Sequence, residues 1–413
     1  MNSAPIDSTW FQRLAGCVAV VLLASLSGSC ATTKVVGQNI QRVVNDQPVD
    51  RQGLTEAVTS DTKTIESGLQ QLRRKFEETL AKLKANVQQH WGQKDTKVAD
   101  RTVYVKYSQG YKSRVITDFD HGFITVETLD EKNPQGSLKT AIVAALLTSS
   151  DPASVDLFTD KDVTLDQKQK PYLYGLVLDN EGKPIRTHGQ AERFASYLIA
   201  HKIQTRAVES EQGGKTARFV KLTMVTNFEA KGAERYRASV TKYAAQYQVS
   251  PSLVFAIIRT ESNFNPFAVS GAPAYGLMQL VPTSGGRAAL QRVQGVDQTP
   301  SSEYLFDPDH NIELGTAYLS VLNDKDFHAV NDQRSRDYCV IAAYNTGPRN
   351  VTKTFGKTNS EAFANINVLE PSALYDRLRT GLPADETRQY VVKVTGYRKQ
   401  FVNTAAAATT AAQ

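Results

Sequence analysis

Cysteine is scarce in this chain. Only Cys17, Cys30 and Cys339 occur. No C-x-x-C or similar spacing joins them, which excludes a disulfide framework and the usual structural zinc sites. Cys339 lies in the apolar run "DYCVIAAYN" and reads as a buried thiol. Histidine is thin as well, and His121 and His188 stand alone in expected loops. No Gly-rich phosphate cradle or Walker-type motif is present, which removes the common nucleotide-binding classes. No metal and no cofactor is implied. The one strongly apolar stretch, residues 14–29, is short for a membrane-spanning helix.

What is present divides into segments. The 413 residues suffice for two or three domains. The net charge is +6, which suits an anionic partner such as a membrane surface, nucleic acid or cell-wall polymer. Arg13 followed by "LAGCVAVVLLASLSGS" and then Cys30 reads as a signal peptide ending at a cysteine. It resembles a bacterial lipoprotein signal, in which Cys30 is lipidated and becomes the mature N-terminus. "LAGC" at 14–17 matches such a signal by its letters, but no hydrophobic segment precedes Cys17. Ala31 after the cysteine, by resemblance to enterobacterial sorting, favours the periplasmic face of the outer membrane. Removing residues 1–29 deletes Asp7 and Arg13, so the charge stays at +6.

Residues 30–53 lack periodicity and read as a lipid-proximal tether. Leu54, Val58, Ile65, Leu69, Leu72, Phe76, Leu80, Leu83 and Val87 then recur at helical steps, predicting one amphipathic helix over 54–90. Docking of its apolar stripe on the next domain is the favoured role. Residues 101–228 mix strands with helices. "RTVYVKYS", "GFITVETL" and "TARFVKLTMV" read as strands. "YLYGLVLDNEGKPI" (172–185) reads as two strands around a turn. "SLKTAIVAALLTSS" reads as a helix capped by Ser137, and "AERFASYLI" as another. Together 54–230 form an expected α+β N-terminal domain. Residues 231–402 are expected to be all-α, with 234–249 as one helix and 403–413 as a disordered tail.

Within the helical part, Ser250 at the N-cap and Pro251 in the first turn start a helix that closes at Glu261. Leu253, Ala256, Ile257 and Thr260 face inward. A carboxyl at a helix C-terminus in apolar surroundings has its pKa raised, and a glutamate protonated near neutral pH can act as a general acid. No second acidic residue stands between Glu261 and Asp297.

Further motifs follow in order. The run "ESNFNPFAVS…GLMQLVPTSG…DPDHNIELGTAYL…AYN…ETRQYV" resembles the soluble-type lytic transglycosylase domain, related to goose-type lysozyme. Upstream, "YVKY", "GFITVET", "DPASVDLFTD" and "YLYGLVLDNEGKPIR" resemble the N-terminal domain of the membrane-bound lytic murein transglycosylase C family. The resemblance covers about residues 90–400 and implies a lysozyme-like all-α catalytic domain after the α+β domain. It assigns Glu261 as catalytic acid and Ser262 as a hydroxyl donor toward the glutamate or substrate. Met278 and Gln279 match the cleft wall. Tyr344 and Asn345 match the third motif, with the tyrosine hydroxyl near the catalytic carboxyl, and Tyr390 matches the cleft-facing tyrosine of the fourth.

The implied activity is a lyase reaction on peptidoglycan glycan strands. It cuts after N-acetylmuramic acid without water and leaves 1,6-anhydro ends, with one glutamate serving as acid and then base. A lone carboxylate suits this chemistry better than ordinary glycoside hydrolysis, which sets two carboxylates across the bond. The competing readings are a lysozyme-like hydrolase on the same fold and a non-enzymatic peptidoglycan-binding lipoprotein. The expected partners are peptidoglycan and, through Cys30, a membrane. Nucleic acid is not among them, and the chain is expected to be a monomer.

Overall fold

The alternating segments at 101–108 and 122–129 do form strands, and they belong to a single sheet. The computed structural model describes residues 51–410, apart from positions 167 and 272. The expected signal segment 1–29 and the lipidation residue Cys30 lie outside the described residues. The chain divides into two units between Lys75 and Phe76. In the first, the described residues 51–75 are helical and form the start of α1, Arg51–Trp91.

In the second unit, strands β1 (Val103–Ser108), β2 (Ser113–Asp118), β3 (Phe123–Thr128), β4 (Gln204–Ser210) and β5 (Gly213–Thr223) build one antiparallel sheet. Its order is β1-β2-β3-β5-β4. The period-2 pattern sorts side chains to two faces. Tyr104, Ile124, Val126, Val220 and Leu222 pack with Leu138, Ile142 and Leu146 of α2 (Pro134–Leu147) and with Phe194 and Leu198 of α3 (His188–His201). Val105, Tyr107, Val208 and Ala217 face the other way, against Leu83, Val87 and Trp91 of α1. The apolar stripe of α1 therefore docks on the sheet over these last turns.

Several local expectations are corrected. Helix α2 begins three residues before Ser137: Asn133 is the N-cap, its side chain accepts from Gly136 N, and Pro134 supplies the first turn. Ser137 Oγ instead donates to Asp130 Oδ2 at 2.5 Å. Segment 172–185 is not a strand pair. It is a series of turns with isolated bridges between Tyr174 and Val177 and between Leu178 and Pro184. Tyr172, Leu173, Leu176 and Val177 are all buried, so the segment plugs the core instead of alternating. Segment 234–249 breaks at Tyr236, which ends α4 (Phe228–Arg235) and precedes α5 (Arg237–Gln246). The break leaves the Tyr236 side chain buried.

The remainder is helical: α6 (Pro251–Ser262), α7 (Arg287–Gln294), α8 (Ser302–Phe306), α9 (Pro308–Val321), α10 (Gln333–Thr346), α11 (Pro348–Phe355), α12 (Asn359–Asn367), α13 (Pro371–Gly381) and α14 (Asp385–Thr410). α14 continues as helix past residue 402, where the sequence predicted a disordered tail; alanine is the strongest helix former. Helix α6 is buried on more than the predicted face. Val254, Phe255 and Ile258 are enclosed along with Leu253, Ala256 and Ile257. An all-round apolar helix belongs at the centre of a bundle, and α5 and α14 flank it here. Cys339 is fully buried, as expected, and burial pushes its thiol pKa up to about 12.

The sheet and the helices meet at the segment after α6. Phe267 is fully buried in the sheet core, with its ring 4.5 Å from Tyr104 and 5.3 Å from Tyr172. Asn263 Nδ2 donates to Phe119 O at 2.7 Å, and Asn265 Nδ2 donates to Arg101 O at 3.1 Å. The α+β part and the helical part are thus joined immediately beside Glu261.

Candidate active site

Helix α6 delivers Glu261 in its last turn. Pro251 occupies the first turn, and Ser250 stands at the N-cap, its hydroxyl 2.8 Å from Ser252 Oγ instead of capping the helix. The helix stops at Asn263, which adopts φ +45, and Phe264 follows at φ +64. Two successive left-handed residues turn the chain sharply, a costly conformation for non-glycine residues that the side-chain bonds of Asn263 and Asn265 hold in place.

Glu261 is 5 % exposed. Tyr390 Oη of α14 donates to its Oε1 at 2.7 Å. Arg101 Nη1, from the loop entering β1, lies 3.9 Å from its Oε2. Burial raises the Glu261 pKa to about 7. The Tyr390 hydrogen bond and the Arg101 charge restrain that rise, and the Glu386 charge adds to it. At neutral pH the carboxyl is poised to give or take a proton. Burial also raises the Tyr390 and Tyr344 hydroxyls well above their ordinary pKa, so both remain donors.

The "GLMQ" segment is bonded to the end of α6. Ser262 is fully buried, and its hydroxyl donates to Ile258 O at 3.0 Å and to Leu277 O at 2.8 Å. It faces the protein and ties α6 to the loop. Met278 is also fully buried. Its N–H donates to Asn311 Oδ1 at 2.7 Å, and its carbonyl accepts from Tyr344 Oη at 2.9 Å. Asn311 Nδ2 completes the clamp on Tyr275 O and Leu305 O. Gly276 has φ +75, and a Cβ there would come within 2.4 Å of Asn311 Nδ2, so only glycine fits. Gly315 of α9 leaves room for the Met278 side chain, since a Cβ would meet Met278 Sδ at 2.3 Å. Gln279 adopts φ +47. Its Nε2 donates to Gly276 O at 3.0 Å, and its buried Oε1 has no hydrogen-bond partner.

Asn345 Oδ1 accepts from Thr387 Oγ1 at 2.7 Å, which links α10 to α14. Of the residues singled out from sequence, Tyr390 reaches the Glu261 carboxyl directly. Tyr344 supports the loop, and its ring lies 5.4 Å from that of Tyr318. Three contributors were not singled out. Asn311 stands within the quoted "DPDHNIELGTAYL". Glu386 stands four residues before Tyr390, one helical turn away on α14. Arg101 carries no local signal, since its contact with Glu261 spans the two parts of the fold. Among the described residues no group of three or more His, Cys, Asp or Glu side chains is arranged to hold a metal.

Comparison with known proteins gives the family. The family described as "Membrane-bound lytic murein transglycosylase C, N-terminal domain" matches residues 67–235, and "Transglycosylase SLT domain" matches residues 238–367. The chain is 40 % identical over 327 residues to membrane-bound lytic murein transglycosylase C of Yersinia pestis (strain Pestoides F), covering 79 % of this chain and 89 % of the relative. The same values hold for the Yersinia pseudotuberculosis serotype O:1b protein of that name. Among solved structures, an inactive mutant of lytic transglycosylase Slt from Pseudomonas aeruginosa is 33 % identical, with TM-score 0.32 over 41 % of this chain and 24 % of that one. The 70 kDa soluble lytic transglycosylase of Escherichia coli is 27 % identical, with TM-score 0.31 over 40 % and 23 %. The chain spans about a quarter of the length of those two structures. With an α+β domain leading into a helical domain that buries one glutamate under a tyrosine, this chain belongs to the membrane-bound lytic murein transglycosylase C family.

Proposed function

We propose that the chain is a peptidoglycan lyase that cleaves the β-1,4 bond between N-acetylmuramic acid and N-acetylglucosamine, with Glu261 as its only proton carrier. The observation that carries this reading is the Glu261 carboxyl, buried with a pKa raised to about 7 and oriented by Tyr390. Protonated Glu261 gives its proton to the bridging oxygen, and the C1–O bond breaks. The N-acetyl group of the muramic acid stabilises the cationic C1. Glu261, now a carboxylate, takes the proton of the C6 hydroxyl, and that oxygen bonds to C1. A 1,6-anhydro ring closes, the bridging oxygen leaves as a free hydroxyl, and Glu261 is again protonated. No water enters.

Gln279 Oε1, buried without a partner, supplies an acceptor for an amide N–H or hydroxyl of the sugar, and Asn345 lies on α10 to orient the same group. Ser262 and Met278 act from below by fixing the loop. Lipidation at Cys30 holds the enzyme, as a monomer, on the periplasmic face of the outer membrane. The name shared by the relatives speaks for membrane association, and no described helix is long and apolar enough to cross a membrane.

The hydrolase reading deserves its own test because a second carboxylate, Glu386, shares Arg101 with Glu261. Digestion of purified sacculi followed by mass analysis of the products separates the two. Lyase products end in anhydro sugars one water lighter than hydrolase products. Glu261→Gln is expected to release neither, and substantial release of anhydro-muropeptides by that variant would sink the assignment.

A further inference from the structure

The two oxygens of Glu261 have different neighbours. Oε1 takes the Tyr390 hydroxyl at 2.7 Å, whereas Oε2 faces Arg101 Nη1 at 3.9 Å. Arg101 does not belong to the helical domain. It sits between Asp100 and Thr102 in the loop entering β1, inside the segment that matches the N-terminal family domain. The position of its backbone is fixed from both sides. Asp100 Oδ1 accepts from Thr102 N at 2.9 Å and from Val103 N at 2.8 Å. Arg101 O accepts from Asn265 Nδ2, four residues after the glutamate. The guanidinium is steadied in turn by Glu386 Oε1 at 3.2 Å. The charged and titratable groups facing Glu261 are therefore Tyr390 and Glu386 from α14, Tyr344 from α10, and Arg101 from the loop before β1.

We propose that Arg101 is a positioning residue of the reaction, lent by the α+β domain, which steadies the Glu261 carboxylate between its two proton transfers while Glu386 holds the guanidinium in place. This rests on Glu261 being the proton carrier. At 3.9 Å Arg101 is beyond hydrogen-bond distance, so Oε2 remains able to hold and release a proton. Once that proton has gone to the bridging oxygen, the site contains a buried carboxylate, and a fixed cation beside it is worth more than in water. Tyr390 serves the same carboxylate from its other oxygen. Glu386 keeps the long Arg101 side chain, 42 % exposed, from turning out to solvent. It also limits the net positive charge, so Glu261 is not forced to stay ionised when an acid is needed. The electrostatic directions agree: Arg101 favours the ionised glutamate and Glu386 disfavours it.

The test uses the full chain and the variants Arg101→Met, Arg101→Lys, Glu386→Gln and Glu261→Gln, with anhydro-muropeptide release from sacculi measured across pH. Arg101→Met is expected to lower kcat about tenfold, the rate equivalent of one lost exposed-to-half-buried charge contact, with little change in KM. Its alkaline limb should move to higher pH, because the carboxylate has lost its cation. Glu386→Gln should move that limb to lower pH. Arg101→Lys should restore most of the rate and the limb. A carboxyl ¹³C NMR titration gives the same shifts without turnover, with the Glu261 resonance identified by its absence in Glu261→Gln. An unmoved limb and resonance in Arg101→Met, or shifts of the same sign in both variants, overturn the role of Arg101 and leave that of Glu261 standing. Retained activity in Glu261→Gln overturns both.

Discussion

The Tyr390 hydroxyl reaches the Glu261 carboxylate at 2.7 Å across 129 residues of sequence. The hydrogen bond favours the ionised glutamate and opposes the desolvation that raises its pKa. Tyr390→Phe keeps the ring and removes the donor. The Glu261 pKa should rise, shifting the alkaline limb of kcat/KM upward, and kcat should fall by about one to two orders of magnitude, the cost of a lost hydrogen bond to a charged group. A pH–rate profile on sacculi checks both.

Glu261 should destabilise the fold at neutral and alkaline pH. Its folded pKa is raised to about 7 from an ordinary 4.5. The unfolded chain therefore loses this proton first as pH rises. The stability contributed by the neutral carboxyl is complete below the unfolded value and is lost as pH climbs through the folded one. The difference is about 3 kcal/mol for this buried group. Glu261→Gln should raise Tm at pH 8 and leave it nearly unchanged at pH 4. Calorimetry at the two pH values decides, and an equal Tm change at both refutes the linkage.

The "GLMQ" loop depends on Asn311. Asn311→Leu would leave Met278 N–H and Leu305 C=O unpaired in the interior, while Tyr275 C=O would keep only its bond from Leu280 N–H. With each of these two buried unpaired groups costing about 1–3 kcal/mol, stability should fall by about 2 kcal/mol or more. Gly276→Ala should lose a similar amount through its positive φ and the contact with the same asparagine. Urea denaturation measures both, and the double variant should lose less than the sum of the single losses because the sites share a contact.

Phe267→Ala tests the junction between the two parts. The ring is fully buried between Tyr104 and Tyr172, so its removal should cost about 3–5 kcal/mol. The loss should also reach Glu261, six residues away, as a fall in turnover at temperatures where the variant is still folded. Unchanged stability would show that the ring is not needed to hold the junction.

Much of this was legible in local pattern. Pro251 and the apolar run after it set the start and course of α6, and Glu261 stands in its last turn, one residue before its end at Ser262. The alternation at 101–108 and 122–129 gave β1 and β3. Strand β2 was missed because "SRVITD" begins with buried Ser113 and Arg114, whose partners Thr128 and Glu127 lie on the next strand. Strand β4 was missed because an exposed edge strand carries mostly polar residues. The apolar letters at 172–185 suggested strands, although most of them are buried without alternation and Pro184 has no N–H for a ladder. At the site, motif order singled out Glu261, Tyr344 and Tyr390, but the resemblance put the Tyr344 hydroxyl near the carboxyl, whereas Tyr390 makes that hydrogen bond and Tyr344 donates to Met278 O. Nothing local marked Arg101, because its contact forms only when the two parts fold together.

Phe267 carries a consequence for how this architecture can be taken apart. The family match changes between residues 235 and 238, yet the aromatic ring that completes the upstream core comes from beyond that boundary. A fragment beginning at 238 would keep every motif of the catalytic domain. It would also expose Phe267, strip the acceptors from Asn263 and Asn265, and leave Glu261 without its cation. The unit of inheritance and the unit of folding do not coincide here, so grafting this catalytic domain onto another carrier requires the sheet to travel with it.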